Sequence, residues 1–587
     1  MVLFHLRAGR SLVFRNNIRR WLLLWWMLFL LVGNDAAETE PCPEECTCRI
    51  ISDAEEGSLL KIICTRGDMH ILPVHRFDRG ARIIIISPPK DQSNYLTIGP
   101  IFTQPPFIHL RELHIVNSHI PMIGKYAFWG LPELRYLNLT HNNLTSLNID
   151  NFRGLLNLTD LHLAHNKIEQ MPSETFRNAP ALNTLVLAHN RIYELVPRLF
   201  RMLAKLTYLD LSYNPLPELN PEVFKDVTQV KVLKCRRCLL RRINPQIYHL
   251  LPRIEELDLG ENQFKYLTPD EFVILKKLKI LELDGNQLSV VVDNMFARNR
   301  DLQTLNLAHN RLALLAPNAL INLTGLVHLD ISHNKIDRFH LQTFSPVVES
   351  LKAINFSGNN LPLNEIAIVL QILPDIEAVS VANLSLPVIP PLFFTYNEHL
   401  REVDISWNKL TKFPLTLLTR TRFLQKLDIS HNKLETLSEE DMQRLEAIAD
   451  INLSKNSWKC DQCSAGNMLV FMTTSVLNKT IRELRCYSPM RLKGKKFIEM
   501  TYDKLELCPS AYESHIHLIA GSVLVGVSIL AVVAVFLCCK RRRAQYYTNE
   551  EKRCEHEHEH PDQLMGQTEI NNVATIHTPY HLVSRSS

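Results

Sequence analysis

One feature constrains this chain more than any other: asparagine recurs at a fixed step of 24 residues. Asn142, Asn166, Asn190 and Asn214 form one run, and Asn262, Asn286, Asn310 and Asn334 form a second. Each asparagine closes the same phrase. Leu158, Leu161 and Leu163 precede Asn166, with Ile168 and Met171 after it; Leu302, Leu305 and Leu307 precede Asn310, with Leu312 and Leu315 after it. The phrase is L-x-x-L-x-L-x-x-N-x-L. Its first, fourth and sixth places point inward from a short strand and the turn that follows. The amide at the ninth place both donates and accepts, so it ties together buried backbone groups that no regular ladder reaches. One such coil leaves an apolar face open, so coils must stack on one another.

The line runs on in both directions. Ser118 stands 24 residues before Asn142, and Cys238 fills the gap between Asn214 and Asn262. Asn359 and Leu384 follow at steps of 25, then Asn408, Asn432 and Asn456 at steps of 24. This gives about fifteen coils, preceded by a degenerate strand around Ile83 to Ile86. Ser87 to Pro106 carries five prolines and reads as an irregular loop. Leu384 cannot do the amide's work, so its coil is expected to loosen or to draw on Asn383. The period resembles that of leucine-rich repeat proteins. The resemblance implies an α/β solenoid, a curved horseshoe with parallel strands on its concave face.

Both ends of a solenoid need a cap. Cys42, Cys46, Cys48 and Cys64 resemble the amino-terminal cap of extracellular leucine-rich repeat proteins, and Cys460, Cys463, Cys486 and Cys508 the carboxy-terminal one. The resemblance implies disulfides Cys42–Cys48, Cys46–Cys64, Cys460–Cys486 and Cys463–Cys508. Four cysteines also suit tetrahedral zinc, although an oxidising compartment favours disulfides. Cys235 and Cys238 look like a redox pair, but they hold the sixth and ninth places of a coil and read as core residues.

Arg7 to Arg20 is basic, and Trp21 to Val32 is a twelve-residue apolar core too short to span a bilayer, so residues 1–37 read as a secretory signal peptide. Residues 38–75 are the amino-terminal cap, 76–455 the solenoid, 456–510 the second cap and 511–517 a juxtamembrane stalk. Residues 518–539 are long and apolar enough for a transmembrane helix, and the following Lys540 to Arg543 marks that side as cytoplasmic. Residues 540–587 form a disordered tail. The topology is single-pass type I at the plasma membrane. Sequons begin at Asn138, Asn143, Asn157, Asn322, Asn355, Asn383, Asn452 and Asn478, and none lies in the tail.

The second, third, fifth, seventh and eighth places of each coil are expected to face out on the concave side, where equal places form columns about 4.8 Å apart. One coil is basic (Lys231, Lys234, Arg236, Arg237) and the next acidic (Glu255, Glu256, Asp258, Glu261). Either the two coils neutralise each other, Lys231 with Glu255, Lys234 with Asp258 and Arg237 with Glu261, or they form a bipolar patch that steers a charged partner. Six histidines, His141, His165, His189, His309, His333 and His431, hold the eighth place, where a metal site or pH sensor competes with mere tolerance of a polar residue. Trp407 holds the same place, and an exposed indole there is a candidate contact.

Cys538 and Cys539 are palmitoylation candidates, and Tyr580 with Val583 has the form of an endocytic signal. A tail of 48 residues has no room for a kinase or a Toll-type domain. No stripe suits nucleic acid, no residues suggest a cofactor or a resident metal, and no nucleophile–base constellation stands out, so the chain does not read as an enzyme. From Cys42 to Cys508 it resembles capped leucine-rich repeat cell-surface proteins of the insect adhesion type, such as Tartan and Capricious. That resemblance implies an adhesion molecule or co-receptor whose concave face binds an extracellular or cell-surface protein, homophilic or heterophilic, with a cytoplasmic adaptor on the tail. The alternative is an innate-immune recognition receptor that signals through a partner. An ectoenzyme is the contrasting class.

Overall fold

The computed structural model describes residues 42–53, 57–103, 106–391, 393–414, 421–474, 478–507 and 511–556. The expected signal peptide, Cys508, Tyr580 and Val583 lie outside the described residues. Two compact units emerge, Met1–Glu506 and Leu507–Ser587.

The first unit is a solenoid. Among the described residues its main sheet holds eighteen strands. Glu112–Ile115 opens the regular series and Asp450–Asn452 closes it, fifteen coils in all. Each later strand is three residues long, covering the third to fifth places, because the chain must turn soon after. Neighbours pair parallel and in register, as Leu281 with Leu305 and Leu305 with Leu329. The leucines of the phrase are fully buried, Leu302, Leu305 and Leu307 among them.

The ninth-place asparagines bond across coils. Asn310 Nδ2 donates to Leu283 O of the preceding coil (2.9 Å) and to Leu307 O of its own (3.1 Å), while Oδ1 accepts from Leu288 N (3.0 Å). Where the asparagine is missing, its functions divide. Cys238 Sγ keeps the donor role toward Leu211 O (3.2 Å), but a thiol accepts poorly, and Leu216 N turns to Asn214 O instead (2.8 Å). Leu384 does not loosen its coil: Ala378–Ser380 pairs in register on both sides. Nor does Asn383 take over; Leu384 N donates instead to Asn408 Oδ1 of the next coil (3.1 Å).

A second spine runs behind the first. Phe128, Phe152, Phe176, Phe200, Phe224, Tyr248, Phe272 and Phe296 also recur every 24 residues and are buried. Consecutive rings from Phe152 to Phe224 lie 5.8 to 6.4 Å apart. The same period that marks the asparagines marks these rings, and the sequence reading passed over it.

The stretch 87–106 is more regular than expected. Asn94 stands 24 residues before Ser118, is fully buried, accepts from Met69 N (3.0 Å) and donates to Ser118 Oγ (3.3 Å). Pro88, Pro89, Pro100 and Pro106 therefore fall in an enlarged coil that still carries the asparagine line. Its strand, Ala81–Ile86, pairs parallel with Gly57–Cys64, which pairs antiparallel with Cys46–Asp53.

This hairpin carries disulfides Cys42–Cys48 and Cys46–Cys64. At the other end Cys460 is bonded to Cys486, and Cys463 is also disulfide-bonded. Trp458 is buried there and donates from Nε1 to Leu453 O (3.2 Å). Cys235 and Cys238 are unlinked and buried.

The second unit holds one helix, Ala511–His556. Its Ile519–Arg542 segment is long and apolar enough to cross a membrane. Two expectations change here. Residues 511–517 begin this helix rather than forming a separate stalk, and residues 540–556 continue it before the rest of the tail. A long apolar helix is already nucleated, so extending it costs little. Cys538 and Cys539 are exposed on it.

Candidate ligand-binding face

The seventh place faces out where it carries charge, at Arg236 and Asp284, which pair at 2.6 Å, but in most coils it is small and buried. There it holds Ala164, Ala188, Ser212, Ala308, Ser332, Ser357, Ala382, Ser406 and Ser430. In several of these coils the fifth place shapes the turn. Its Asp or Asn Oδ1 accepts the N–H of the seventh residue: Ser332 N to Asp330 (2.8 Å), Ser357 N to Asn355 (3.1 Å), Ser406 N to Asp404 (2.9 Å) and Ser430 N to Asp428 (2.8 Å). This turn ends those strands, and the seventh side chain stays near the face: Ser357 Oγ meets Ser380 Oγ of the next coil (2.6 Å). It also bears on three sequons. Asn138-Leu-Thr140, Asn355-Phe-Ser357 and Asn452-Leu-Ser454 are this turn, Asn at five and Ser or Thr at seven, so the fold alone explains the motif.

The eighth place is left-handed throughout. His141, His165, His189, His309, His333, His431 and Trp407 have φ between 52° and 56°. Histidine tolerates this region better than most residues do, and that accounts for its recurrence. The rings stack flat: His141 on His165 at 4.2 Å, His165 on His189 at 4.1 Å and His189 on Tyr213 at 4.0 Å. Parallel rings present their nitrogens side by side and cannot converge on one ion. No metal-ligating group of three exists among the described residues. Burial holds His141, His165 and His333 below the usual imidazole range, helped by repulsion from Lys90 and His189 at His141, from His189, His141 and Lys90 at His165, and from His309 at His333. Trp407 is 60% exposed and lies flat on His431 at 3.8 Å.

The basic and acidic coils meet in a network. Lys231 pairs with Glu255 (3.0 Å), and Arg237 with Glu261 (3.8 Å). Lys234 pairs with Glu256 (2.7 Å) rather than with Asp258. Asp258 belongs to Arg236, which sequence reasoning left without a partner. From the seventh place the Arg236 guanidinium bonds Asp258 (3.2 Å), Glu261 (3.1 Å) and, two coils away, both oxygens of Asp284 (2.9 and 2.6 Å). It reaches that far because the seventh place between them is Gly260: a Cβ there would lie 2.4 Å from Arg236 Nη2. Lys279 and Lys231 clamp Glu255, whose carboxyl falls to about 2. Burial raises the Asp258 carboxyl even against Arg236.

Beyond the network the strand face opens into a trough of roughly 520 Å³, lined by Glu282, Asn306, Asp330, Asn355, Asp404 and Asp428 among others. Here the carboxylates meet neutral groups. Glu282 accepts from Asn306 (2.6 Å), Asp330 from Asn355 (3.0 Å), Asp404 from Ser380 (3.0 Å) and Asp428 from Asn452 (2.8 Å). Lys426 and Glu402 pair at its edge (3.7 Å). Among the described residues no cation pairs with Asp330, Asp404 or Asp428. Before the network the face is aromatic instead, with Tyr136 between His114 and His162, each ring 4.9 Å away.

The sequence matches the family model of leucine rich repeats over residues 108–168, 156–216, 228–288, 276–336, 300–361 and 398–457. No curated protein sequence matches it. Among solved structures, a leucine-rich repeat protein of Leptospira interrogans is 24% identical with TM-score 0.50, over 62% of this chain and 90% of that one. Drosophila Toll in its complex with Spatzle is 18% identical with TM-score 0.47, over 78% and 76%. Human trophoblast glycoprotein is 22% identical with TM-score 0.37, over 42% and 93%. Those likenesses concern the fold. The repeat matches together span more than half of the 587 residues, and the chain belongs to the leucine-rich repeat family.

Proposed function

We propose that this chain is a cell-surface adhesion molecule or co-receptor that binds a basic extracellular protein in its acidic trough. The observation that carries the reading is the trough itself, where Asp330, Asp404 and Asp428 line the strand face with only neutral donors against them. A cationic partner would recover the charge pairing that the fold leaves open, and the same field would speed its approach. Nucleic acid would be repelled. The basic coil of Lys231, Lys234, Arg236 and Arg237, the other candidate contact, is bonded to Glu255, Glu256, Asp258 and Glu261 and has less charge to offer. The Ile519–Arg542 segment supports single-pass anchorage at the plasma membrane. The narrower likeness to Tartan and Capricious belongs to this proposal, as do the sequons, acylation of Cys538 and Cys539, and an endocytic role for Tyr580 and Val583.

The test is the triple variant Asp330→Ser, Asp404→Ser, Asp428→Ser in the full chain on cells. Serine already holds the fifth place at Ser380, whereas asparagine would create sequons with Ser332, Ser406 and Ser430. Capture of basic extracellular proteins should be lost while surface display is retained. If the triple variant still captures its partner and Lys234→Glu with Arg237→Glu does not, binding belongs to the basic coil and the reading fails.

A further inference from the structure

We infer that Trp407 is the docking platform for an N-linked glycan carried by Asn383 of the same chain. The inference needs only that the solenoid pass through the secretory pathway, and does not depend on the trough. Both residues hold the eighth place, in consecutive coils. The ladder sets them one step apart: Asn383 N donates to Ser406 O (3.0 Å), and Trp407 N to Ser430 O (3.0 Å). Wherever two rings occupy this place in neighbouring coils they stack at 3.8 to 4.3 Å. A side chain at Asn383 is therefore the next rung against Trp407.

The indole has one face covered and one open. His431 lies flat on the first, at 3.8 Å and 10°. The opposite face points up the column toward Asn383, and the residue remains 60% exposed. Asn383 itself has φ of 52°, so its chain leaves the backbone in the same direction as the histidines do. The acceptor is accessible, since Asn383 and Ser385 are both exposed.

Asn383 also differs from the other sequons whose side chains are described; that of Asn478 lies outside them. Asn355 and Asn452 spend their amide nitrogens on Asp330 (3.0 Å) and Asp428 (2.8 Å). Asn157 donates to Pro132 O (2.9 Å), Asn322 to Ala297 O (3.3 Å), and Asn143 meets His119 (3.0 Å). Asn138 accepts from Thr140 N (2.9 Å) as part of its turn. Among the described residues the Asn383 side chain makes no hydrogen bond, and its motif is no part of the strand-ending turn. In the transfer, the amide nitrogen forms a bond to C1 of N-acetylglucosamine. The C1–oxygen bond to a lipid pyrophosphate donor breaks, and the amide proton leaves with the pyrophosphate. The apolar face of the first sugar then lies against the indole, removing both from water.

The experiment uses the full chain purified from cells, with glycopeptide mapping and hydroxyl-radical footprinting read by mass spectrometry. Asn383 should be occupied and Trp407 protected. Asn383→Gln, Ser385→Ala, or enzymatic release of the glycan from the folded protein should each turn that protection into clear Trp407 labelling, because the face opposite His431 is then uncovered. Trp458, which is buried, serves as the internal reference. Release on the folded wild type needs no substitution, so misfolding of a variant leaves the test intact. An unoccupied Asn383 overturns the proposal. So does an occupied one whose removal leaves Trp407 labelling unchanged.

Discussion

The coils from Lys231 to Asp284 and those from Asp330 to Asp428 belong to one sheet and carry charge on the same face, yet use it differently. In the first region the charges are consumed. Arg236 sits 20% exposed among Asp258 and Asp284, at 13% and 16%, and Lys231 and Lys279 share Glu255. In the second region carboxylates face amides and hydroxyls, and their charge remains directed at solvent. Counting charged residues would rank the first region as the stickier surface. Counting charges that lack a countercharge ranks the second.

The largest expected effect tests whether the first region is closed by Arg236. Arg236→Ala leaves Asp258 and Asp284 partly buried without their cation, and should cost about 2 to 4 kcal/mol, somewhat less than breaking a fully buried pair. Lys231→Ala, on a side chain 52% exposed, should cost about 0 to 1 kcal/mol. Thermal unfolding of the two variants gives the comparison directly. Equal losses would mean that Arg236 is one more surface cation, and the contrast between the regions would collapse.

That distinction was only partly legible in the sequence. The leucines and asparagines declare themselves because every coil needs them at the same place, so the period is visible in one chain. Lys231–Glu255 and Arg237–Glu261 were legible for the same reason: equal places in adjacent coils must touch. Arg236 was not. Its reach to Asp284 depends on the absence of a side chain at Gly260, a condition set by a different coil. Asp258 was assigned to Lys234 because column position ignores which way a side chain leans. The turn at the seventh place was missed because it is written by the fifth residue, in a bond between positions two apart. The asparagine line was truncated before Asn94 because the proline-rich stretch hid a coil of unequal length. The family resemblance supplied the cap pairings, which no spacing argument in the chain could have given.

A smaller effect sharpens the same comparison at Gly260. Gly260→Ala removes no charge but places a methyl group 2.4 Å from the guanidinium. Arg236 must swing away from Asp284, so the change should cost about 1 to 3 kcal/mol, as overpacking does. In the Arg236→Ala background the same methyl meets no guanidinium and should be nearly free. A double-mutant cycle by denaturant unfolding measures that coupling. Additive losses would show that Gly260 matters for its own backbone and not as the gap through which Arg236 reaches.

The smallest effect is a pH dependence at the border of the trough, where the His309–His333 stack adjoins Asp330. The rings lie 4.3 Å apart. Burial lowers the His333 imidazole, repulsion from His309 lowers it further, and Asp330 opposes both. A depressed imidazole means that the folded chain binds fewer protons than the unfolded one. Its contribution to stability is therefore fully present above the unfolded value of about 6.5 and is lost as pH falls below that value toward the lower folded one. His333 is exposed, so solvent screening keeps the change to a small slope rather than a transition. His333→Gln should flatten that slope below about pH 6.5. Protonation also places positive charge beside the trough, so capture of a cationic partner should weaken over the same interval in the wild type and less in the variant. A melting-temperature profile that steepens equally in wild type and His333→Gln would show that acid sensitivity resides elsewhere, and that the stacked rings at the eighth place are there for their backbone conformation alone.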